Sequence, residues 1–223
     1  MSLSIPVVTI DGPSGVGKGT LAQFLVQQTG FHLLDSGAIY RALAFGAVQG
    51  GIVLDDVAKL MALANALPVE FIGTDILYNK EDITAQVRTE EIAGVASTIA
   101  VIPEVRAALL ARQKAFATEP GLIADGRDMG TVVFPNAEIK VYLMASAEIR
   151  AQRRVKQLKS QGVSANIDQI TRDIEMRDER DLNRKTAPLK PADDAIVIDT
   201  SHLDIDAVCQ KVLSLVKEQA LMA

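Results

Sequence analysis

The stretch Gly12-Pro13-Ser14-Gly15-Val16-Gly17-Lys18-Gly19-Thr20 decides the fold of this chain. An apolar run, Ile5 to Ile10, leads into it, and a helical pattern opens at its end with Thr20-Leu21-Ala22-Gln23-Phe24-Leu25-Val26. Strand, glycine loop and helix together are the context in which this spacing forms a phosphate-binding loop. Glycines let the backbone curl until successive N–H groups point into one concavity, and the helix that follows adds its positive end. Lys18 is then placed to reach the outer phosphates of a bound nucleotide. One departure stands out. Gly19 occupies the position where the commoner form of the motif carries its hydroxyl, and the hydroxyl follows at Thr20.

Composition narrows the class. A chain of 223 residues suffices for one α/β domain with smaller inserted lobes. No apolar run approaches the roughly 20 residues that span a bilayer. The N-terminus has neither the basic lead nor the apolar core of a secretion signal, so a cytoplasmic location is expected. Cys209 is the only cysteine, which excludes an intramolecular disulfide and suits a reducing compartment. A net charge of −5 with 4% aromatic residues argues against a nucleic-acid binder. The charge is uneven, however: residues 150–190 hold eleven of the 23 Lys/Arg and only six of the 28 Asp/Glu. A local cationic segment on an acidic body suits a small polyanion. A solvated helical face with ordinary ion pairs is the alternative.

Five apolar runs read as buried parallel strands: Ile5–Ile10, Phe31–Leu34, Leu122–Ala124, Ile139–Met144 and Ile196–Ile198. Helical patterns cover Gly17–Gln28, Ala38–Val48, Glu104–Ala117, Ala147–Leu158 and Ile205–Leu221. Alternation of this kind predicts a five-stranded parallel sheet covered by helices, with ligands beyond the carboxyl ends of its strands. Two segments break the alternation. Val69–Ile72, Ile76–Tyr78 and Ile83–Val87 predict a small inserted antiparallel meander. Ile167, Ile170 and Ile174 put an apolar stripe on a helix running to about Arg184 and stopping before Pro188. With the preceding helix it forms a charged hairpin that would serve as a lid.

Strand ends are where chemistry is expected. After Leu33-Leu34-Asp35, Ser36 is placed to cap a helix, and Arg41 lies in that helix's second turn. The strand Leu122-Ile123-Ala124 breaks into Asp125-Gly126 and then presents Arg127 beside Asp128. Asp125 is also placed as a carboxylate on the magnesium side of a phosphate loop. Asp11, just ahead of the loop, is open to two readings: an outer partner of Mg²⁺ or an interior hydrogen-bond acceptor. In Arg177-Asp178-Glu179-Arg180-Asp181-Leu182-Asn183-Arg184, the spacing puts Arg177, Asp181 and Arg184 on one helix face. Arginine suits a transferring phosphoryl group, because its fork holds two oxygens and its charge does not titrate away. Arg150, Arg153 and Arg154 could add a second cationic row. His32 and His202 belong to no cluster with metal-ligand spacing.

The loop GPSGVGKGT, the stretch LLDSGAIYR, the stretch GLIADGRDMGTVVFP and the RDERDLNR helix together resemble bacterial cytidylate kinases, within the nucleoside monophosphate kinases, over essentially the whole chain. The resemblance implies a phosphate-loop NTPase fold in a single domain, 1–223. A monophosphate-binding lobe would span about 36–115 and a helical lid about 150–190. It implies Mg²⁺-dependent, in-line phosphoryl transfer from ATP to CMP or dCMP. A monomer is the default expectation, because one chain can enclose both substrates, and composition points to neither a nucleic-acid nor a membrane partner. Carried over by position, Gly12, Pro13, Ser14, Gly15, Val16, Gly17, Lys18, Gly19, Thr20 and Arg154 would bind ATP. Ser36, Arg41, Arg127 and Arg184 would hold the acceptor phosphate. Ser97, Arg106 and Asp128 would read the cytosine edge, and Arg177 and Asp181 the ribose hydroxyls. Lys18, Arg127, Arg177 and Arg184 would be the catalytic cations. Mg²⁺ would bind through water and Thr20. Leu182 departs from a commonly charged position, off the Arg177–Asp181–Arg184 face. Another small-molecule kinase on the same scaffold is the alternative.

Overall fold

The computed structural model describes residues 5–160, 162, 164–219 and 221. The chain divides into two compact units, one drawn from Met1–Leu34 and Phe116–Ala223 and the other from Asp35–Ala115.

In the first unit, strands β1 (Val7–Asp11), β2 (His32–Asp35), β6 (Leu122–Gly126), β7 (Ile139–Met144) and β8 (Ile196–Asp199) form one sheet in the order β2-β6-β1-β7-β8. The sheet is parallel, with Asp11 in register with Gly126 on one side and Tyr142 on the other. The chain leaves β1 for β2 and later returns to fill the slot between them with β6. The phosphate loop therefore starts from a central strand whose two neighbours run out beside it. Helices α1 (Lys18–Thr29), α6 (Ala147–Ser160), α7 (Ile167–Leu182) and α8 (Ile205–Glu218) belong to this unit. Val8, Ile10, Val141 and Leu143 of the sheet pack with Leu21 and Leu25 of α1 and Val212 and Val216 of α8 in one core. Full burial of each such side chain stabilises by about 1.5–3 kcal/mol. Cys209 joins that core as a small buried residue, 3% exposed.

The second unit holds α2 (Ser36–Gln49), α3 (Val57–Asn65), α4 (Glu90–Ile99), α5 (Pro103–Lys114) and a three-stranded antiparallel sheet of β3 (Val69–Ile72), β4 (Asp75–Tyr78) and β5 (Glu81–Asp82). Helix α2 packs on α4, and α3 on α5. Tyr78 meets Phe45 edge to face at 5.5 Å between ring centroids and lies over Gly46, where a Cβ would stand 2.5 Å from the Tyr78 hydroxyl. A glycine at that position of α2 is what lets the small sheet close on the helix.

The meander differs from expectation in its third strand. Rather than Ile83–Val87, the third strand is Glu81–Asp82, and Gln86–Arg88 is a 3-10 turn. Asp82 accepts from the Thr84 N–H at 2.8 Å, and the Thr84 hydroxyl accepts from the Ile76 N–H at 2.8 Å. The Ile83 N–H still reaches the Ile76 carbonyl at 2.9 Å, but the Thr84 hydroxyl replaces the return ladder bond, and the chain turns there. Ile83 and Val87 are buried while Ala85 between them is exposed, whereas a strand would put all three on one face. Helices α3 and α4 lie outside the elements read from the sequence. Among the described residues no single helix is long and apolar enough to cross a membrane.

Candidate active site

The glycine loop has the backbone its sequence demands. Gly12, Gly15 and Gly17 have φ of 144°, 80° and 100°, and a Cβ on Gly12 would stand 2.2 Å from the Leu143 carbonyl oxygen. Only glycine fits where the loop leaves β1 against β7. Gly17 caps α1 in a left-handed conformation, which points the helix's unsatisfied N–H groups at the loop. Lys18, the first residue of α1, folds back so that its Nζ donates to the Pro13 carbonyl at 2.8 Å and lies 4.0 Å from Asp125 Oδ1. It is 6% exposed. Burial, and then the nearby Arg127 charge, pull its ammonium down to about 7 despite Asp125.

Asp11 serves as an interior hydrogen-bond acceptor. Its carboxylate accepts from the Met129 and Gly130 N–H groups, each at 2.8 Å. It pins the turn after β6, a single π turn at Met129–Val133, to the end of β1. Burial pushes its carboxyl up to about 6 against those two bonds.

Cations and carboxylates interleave around the loop. Strand β6 runs through Asp125 to Gly126 rather than breaking at Asp125, and Arg127 follows with its Nε 3.0 Å from Asp181 Oδ2. Burial opposes the Arg127 charge, but Asp181 and Asp125 outweigh it and raise its pKa. Asp181 is held below the usual carboxylate range, because Arg127, Arg184 and Arg177 outweigh its burial. Helix α7 ends at Leu182, so Arg184 lies past the helix rather than on its face. A turn brings it back: Arg184 Nε donates to the Asp181 carbonyl at 3.2 Å, and Nη2 lies 3.6 Å from Asp181 Oδ1. Arg127, Arg177, Asp181 and Arg184 thus form one network, with Arg177 and Arg127 both acting electrostatically on Lys18. Asp128, 3% exposed, is buried beside it in sequence.

Of the arginines at the start of α6, Arg153 is engaged within the protein, donating to the Thr200 hydroxyl at 3.1 Å and also to the Thr200 carbonyl. Arg154 is half-buried, its Nη1 donating to Gln157 Oε1 at 2.8 Å. Arg153 and Thr200 also help line a cavity of about 330 Å³ with Val16, Gly17, Thr20, Leu203 and Ile205. Sequence reading missed this cavity. The Asp199-Thr200-Ser201 strand end, in the position where α/β sheets bind ligands, was the available signal.

The second unit holds the other four candidates. Asp35, not Ser36, is the N-cap of α2, accepting from the Ala38 N–H at 2.9 Å. The Ser36 hydroxyl donates instead to Gln113 Oε1 at 2.7 Å, a partner from α5 that sequence spacing gave no means of finding. Arg41 Nη1 donates to the Val87 carbonyl at 2.8 Å. Arg106 is 8% exposed, donates to the Ala100 carbonyl at 3.2 Å and lies over the Tyr40 ring at 5.8 Å. Ser97 Oγ is buried with no hydrogen-bond partner among the described residues. Such an orphaned hydroxyl costs about 1–3 kcal/mol unless something else satisfies it.

A lysine-bearing glycine loop on the central strand of a parallel sheet, beside clustered arginines, places the chain among the phosphate-loop α/β proteins. Residues 8–218 match the family model described as "Cytidylate kinase", and the chain belongs to that family. It is similar to the cytidylate kinase of Pasteurella multocida (strain Pm70), 56% identical, with 95% of each chain covered. Similar relatives occur in Shewanella denitrificans, 53% identical over 97% of this chain and 98% of that one, and Aeromonas salmonicida, 53% identical over 96% and 95%.

Proposed function

We propose that this chain transfers the terminal phosphoryl group of ATP to CMP, giving ADP and CDP, with dCMP as a further acceptor. Family membership over residues 8–218 is the observation that carries this reading. The finer assignment rests on the residues. Gly12 to Thr20 cradle the ATP phosphates, Arg154 supports them, and Lys18 follows the charge that develops on the transferring group. The cavity walled by Arg153, Thr200, Leu203 and Ile205 has the size and mixed lining for the donor's base. On the acceptor side, Ser36, Arg41, Arg127 and Arg184 take the CMP phosphate. Ser97, Arg106 and Asp128 take the cytosine edge, and Arg177 and Asp181 the ribose. The Asp35–Ala115 unit would be the monophosphate-binding lobe and residues 150–190 the lid of a single, monomeric, cytoplasmic kinase domain.

Phosphoryl transfer requires positioning and neutralisation of spreading charge more than covalent help. In the free protein, Asp181 and Asp125 face Arg127, Arg184 and Lys18, as the ion pairs above record. They keep buried cations compensated until phosphate oxygens take their place. Displacing that network exchanges one set of charge-assisted bonds for another, so the cations are never buried alone. Cytosine presents an amine where uracil presents a carbonyl, and a buried carboxylate such as Asp128 accepts from the first and repels the second.

Magnesium fits the oxygen donors at the loop. Thr20 is exposed at the start of α1, and Asp125 stands beside Gly19, its Oδ2 3.8 Å from where a Cβ would be. No cluster of three or more metal-ligating side chains occurs among the described residues. A hard ion that keeps several waters and takes phosphate oxygens needs no such cluster. Bound there, Mg²⁺ would neutralise the donor phosphates. The test is ADP release with ATP and Mg²⁺ over a panel of CMP, dCMP, UMP, AMP and GMP. Fast turnover confined to the cytidine nucleotides is expected, and equal or faster turnover with AMP or GMP would defeat the assignment.

A further inference from the structure

Arg150 is a buried charge for which phosphate transfer supplies no task. It stands in the first turn of α6 and is 3% exposed. Its Nε donates to the Ala145 carbonyl at 3.0 Å, and its Nη1 donates to the Ser14 carbonyl inside the phosphate loop at 3.2 Å. The same fork grips both carboxylate oxygens of Asp178, with Nη1 3.2 Å from Oδ1 and Nη2 on Oδ2. Asp178 lies on α7, directly after Arg177 and three residues before Asp181. A Cβ on Gly15 would stand 3.3 Å from Arg150 Cβ, so the stem of the arginine runs against the loop backbone. One guanidinium thereby ties the end of β7, the phosphate loop and α7 together.

We propose that Arg150 and Asp178 are a positioning pair, setting α7 with its Arg177, Asp181 and Arg184 at a fixed place relative to the loop that carries Lys18. Neither residue touches the reacting atoms. The planar fork is essential: it reaches two carbonyls and two carboxylate oxygens at fixed angles, which a lysine ammonium does not reproduce. Full satisfaction also explains how so buried a charge is tolerated. The inference rests on the kinase reading, because placing α7 against the loop matters only if both act on one phosphoryl group. A misplacement of an ångström in such a site costs about 10²-fold in rate.

The test uses Asp178→Asn, which removes the charge at nearly constant shape, Arg150→Lys, which keeps the charge and loses the fork, and the double variant. Each single change should lower kcat with ATP and CMP by roughly tenfold or more, with KM for CMP moving far less. The double variant should be little worse than the poorer single one, as expected of residues acting through one contact. Asp178→Glu, with the charge restored on a longer arm, should recover part of the rate lost in Asp178→Asn. Unchanged kcat per folded molecule in Asp178→Asn, with only a lowered thermal midpoint, would make the pair merely structural and overturn the proposal. Losses that multiply in the double variant would overturn it too. If Arg150→Lys does not fold, the Asn and Glu variants of Asp178 decide alone. Unsubstituted enzyme inactive with ATP and CMP would instead sink the kinase reading, and the pair with it.

Discussion

The phosphate loop and the second unit prepare for phosphorylated ligands by different means. In the loop, shape comes from backbone: Gly12, Gly15 and Gly17 at positive φ, with the Leu143 carbonyl 2.2 Å from any Cβ on Gly12. In the second unit, shape comes from side chains fastened to neighbouring elements. Ser36 is bonded to Gln113, Arg41 to the Val87 carbonyl and Arg106 to the Ala100 carbonyl. A backbone solution leaves a spacing signature that survives in any context. A side-chain solution depends on which helix packs on which, and leaves only a residue type behind. The two should therefore fail differently when they are substituted.

The largest loss is expected in the loop. Lys18→Ala removes the loop's cation, which follows charge onto the transferring oxygens, so kcat should fall by roughly 10³-fold with the fold retained. A near-normal kcat would take the loop out of the mechanism. Titration sharpens the point. The Lys18 ammonium is lowered to about 7, whereas an exposed lysine sits at 10.5. The unfolded chain therefore binds more protons between those values, and the stability contributed by Lys18 rises with pH across that window. Phosphates arriving beside it favour the charged form. ATP binding at about pH 8 should then take up a proton, visible as buffer-dependent binding heat in calorimetry. Lys18→Ala should abolish that dependence.

Asp128 comes next, and it tests recognition rather than transfer. In a closed site its carboxylate gains a charge-assisted bond from the cytosine amine and faces the uracil carbonyl unpaired. Discrimination on the order of 10²-fold in kcat/KM follows. Asp128→Ala should depress CMP use far more than UMP use and narrow their ratio. Both activities falling equally would show that the base is read elsewhere.

Glycine substitutions separate steric demand from mere conformational freedom. Gly12→Ala forces a Cβ into the Leu143 carbonyl at 2.2 Å with φ at 144°, and should destabilise by several kcal/mol, with the loop distorted. Gly30 also has positive φ, 72°, but nothing lies within 4 Å of an added Cβ. As the C-cap of α1 it should cost only about 1 kcal/mol when changed to Ala. Denaturant melts of the two variants compare them directly, and equal losses would mean that the close approach to Leu143 is not what holds the loop.

The same distinction explains what could be read from the sequence. The five parallel strands, the loop and α1 were legible because β-branched runs and glycine spacing are local and strong. Strand Ile139–Met144 falls where the apolar run places it. Arg177, Asp181 and Arg184 were legible as a charged group, but the Arg127–Asp181 pair was not, and Arg184 joins through a turn past Leu182 rather than by helical spacing. The third strand of the small sheet was misplaced because the Thr84 hydroxyl replaces a ladder bond with a side-chain one, which an apolar pattern does not register. Helices α3 and α4 did carry local signals. Asp56 and Thr89 cap them, and Ile92, Ala96 and Ile99 are spaced for one buried face. Short amphipathic helices between strong strands are easily passed over when strand runs lead the reading. The Ser36–Gln113 bond spans 77 residues, and nothing at either end announces the other.

The smallest effect, and the one most specific to the second unit, belongs to Ser97. Its hydroxyl is buried with no protein partner among the described residues, so removing it costs the chain no hydrogen bond of its own. Ser97→Ala should leave the free protein as stable as before, or more stable by about 1 kcal/mol, as expected when an unsatisfied polar group is removed. The bond to the cytosine edge would be lost at the same time. KM for CMP should then rise by roughly fivefold, about 1 kcal/mol, with kcat little changed. The thermal shift produced by saturating CMP should shrink correspondingly, because less binding free energy is available to the folded state. These two signs oppose each other, which a packing role would not produce. A Ser97→Ala protein that melts earlier when free, yet gains as much from CMP as the unsubstituted chain, would make the hydroxyl a structural element of α4.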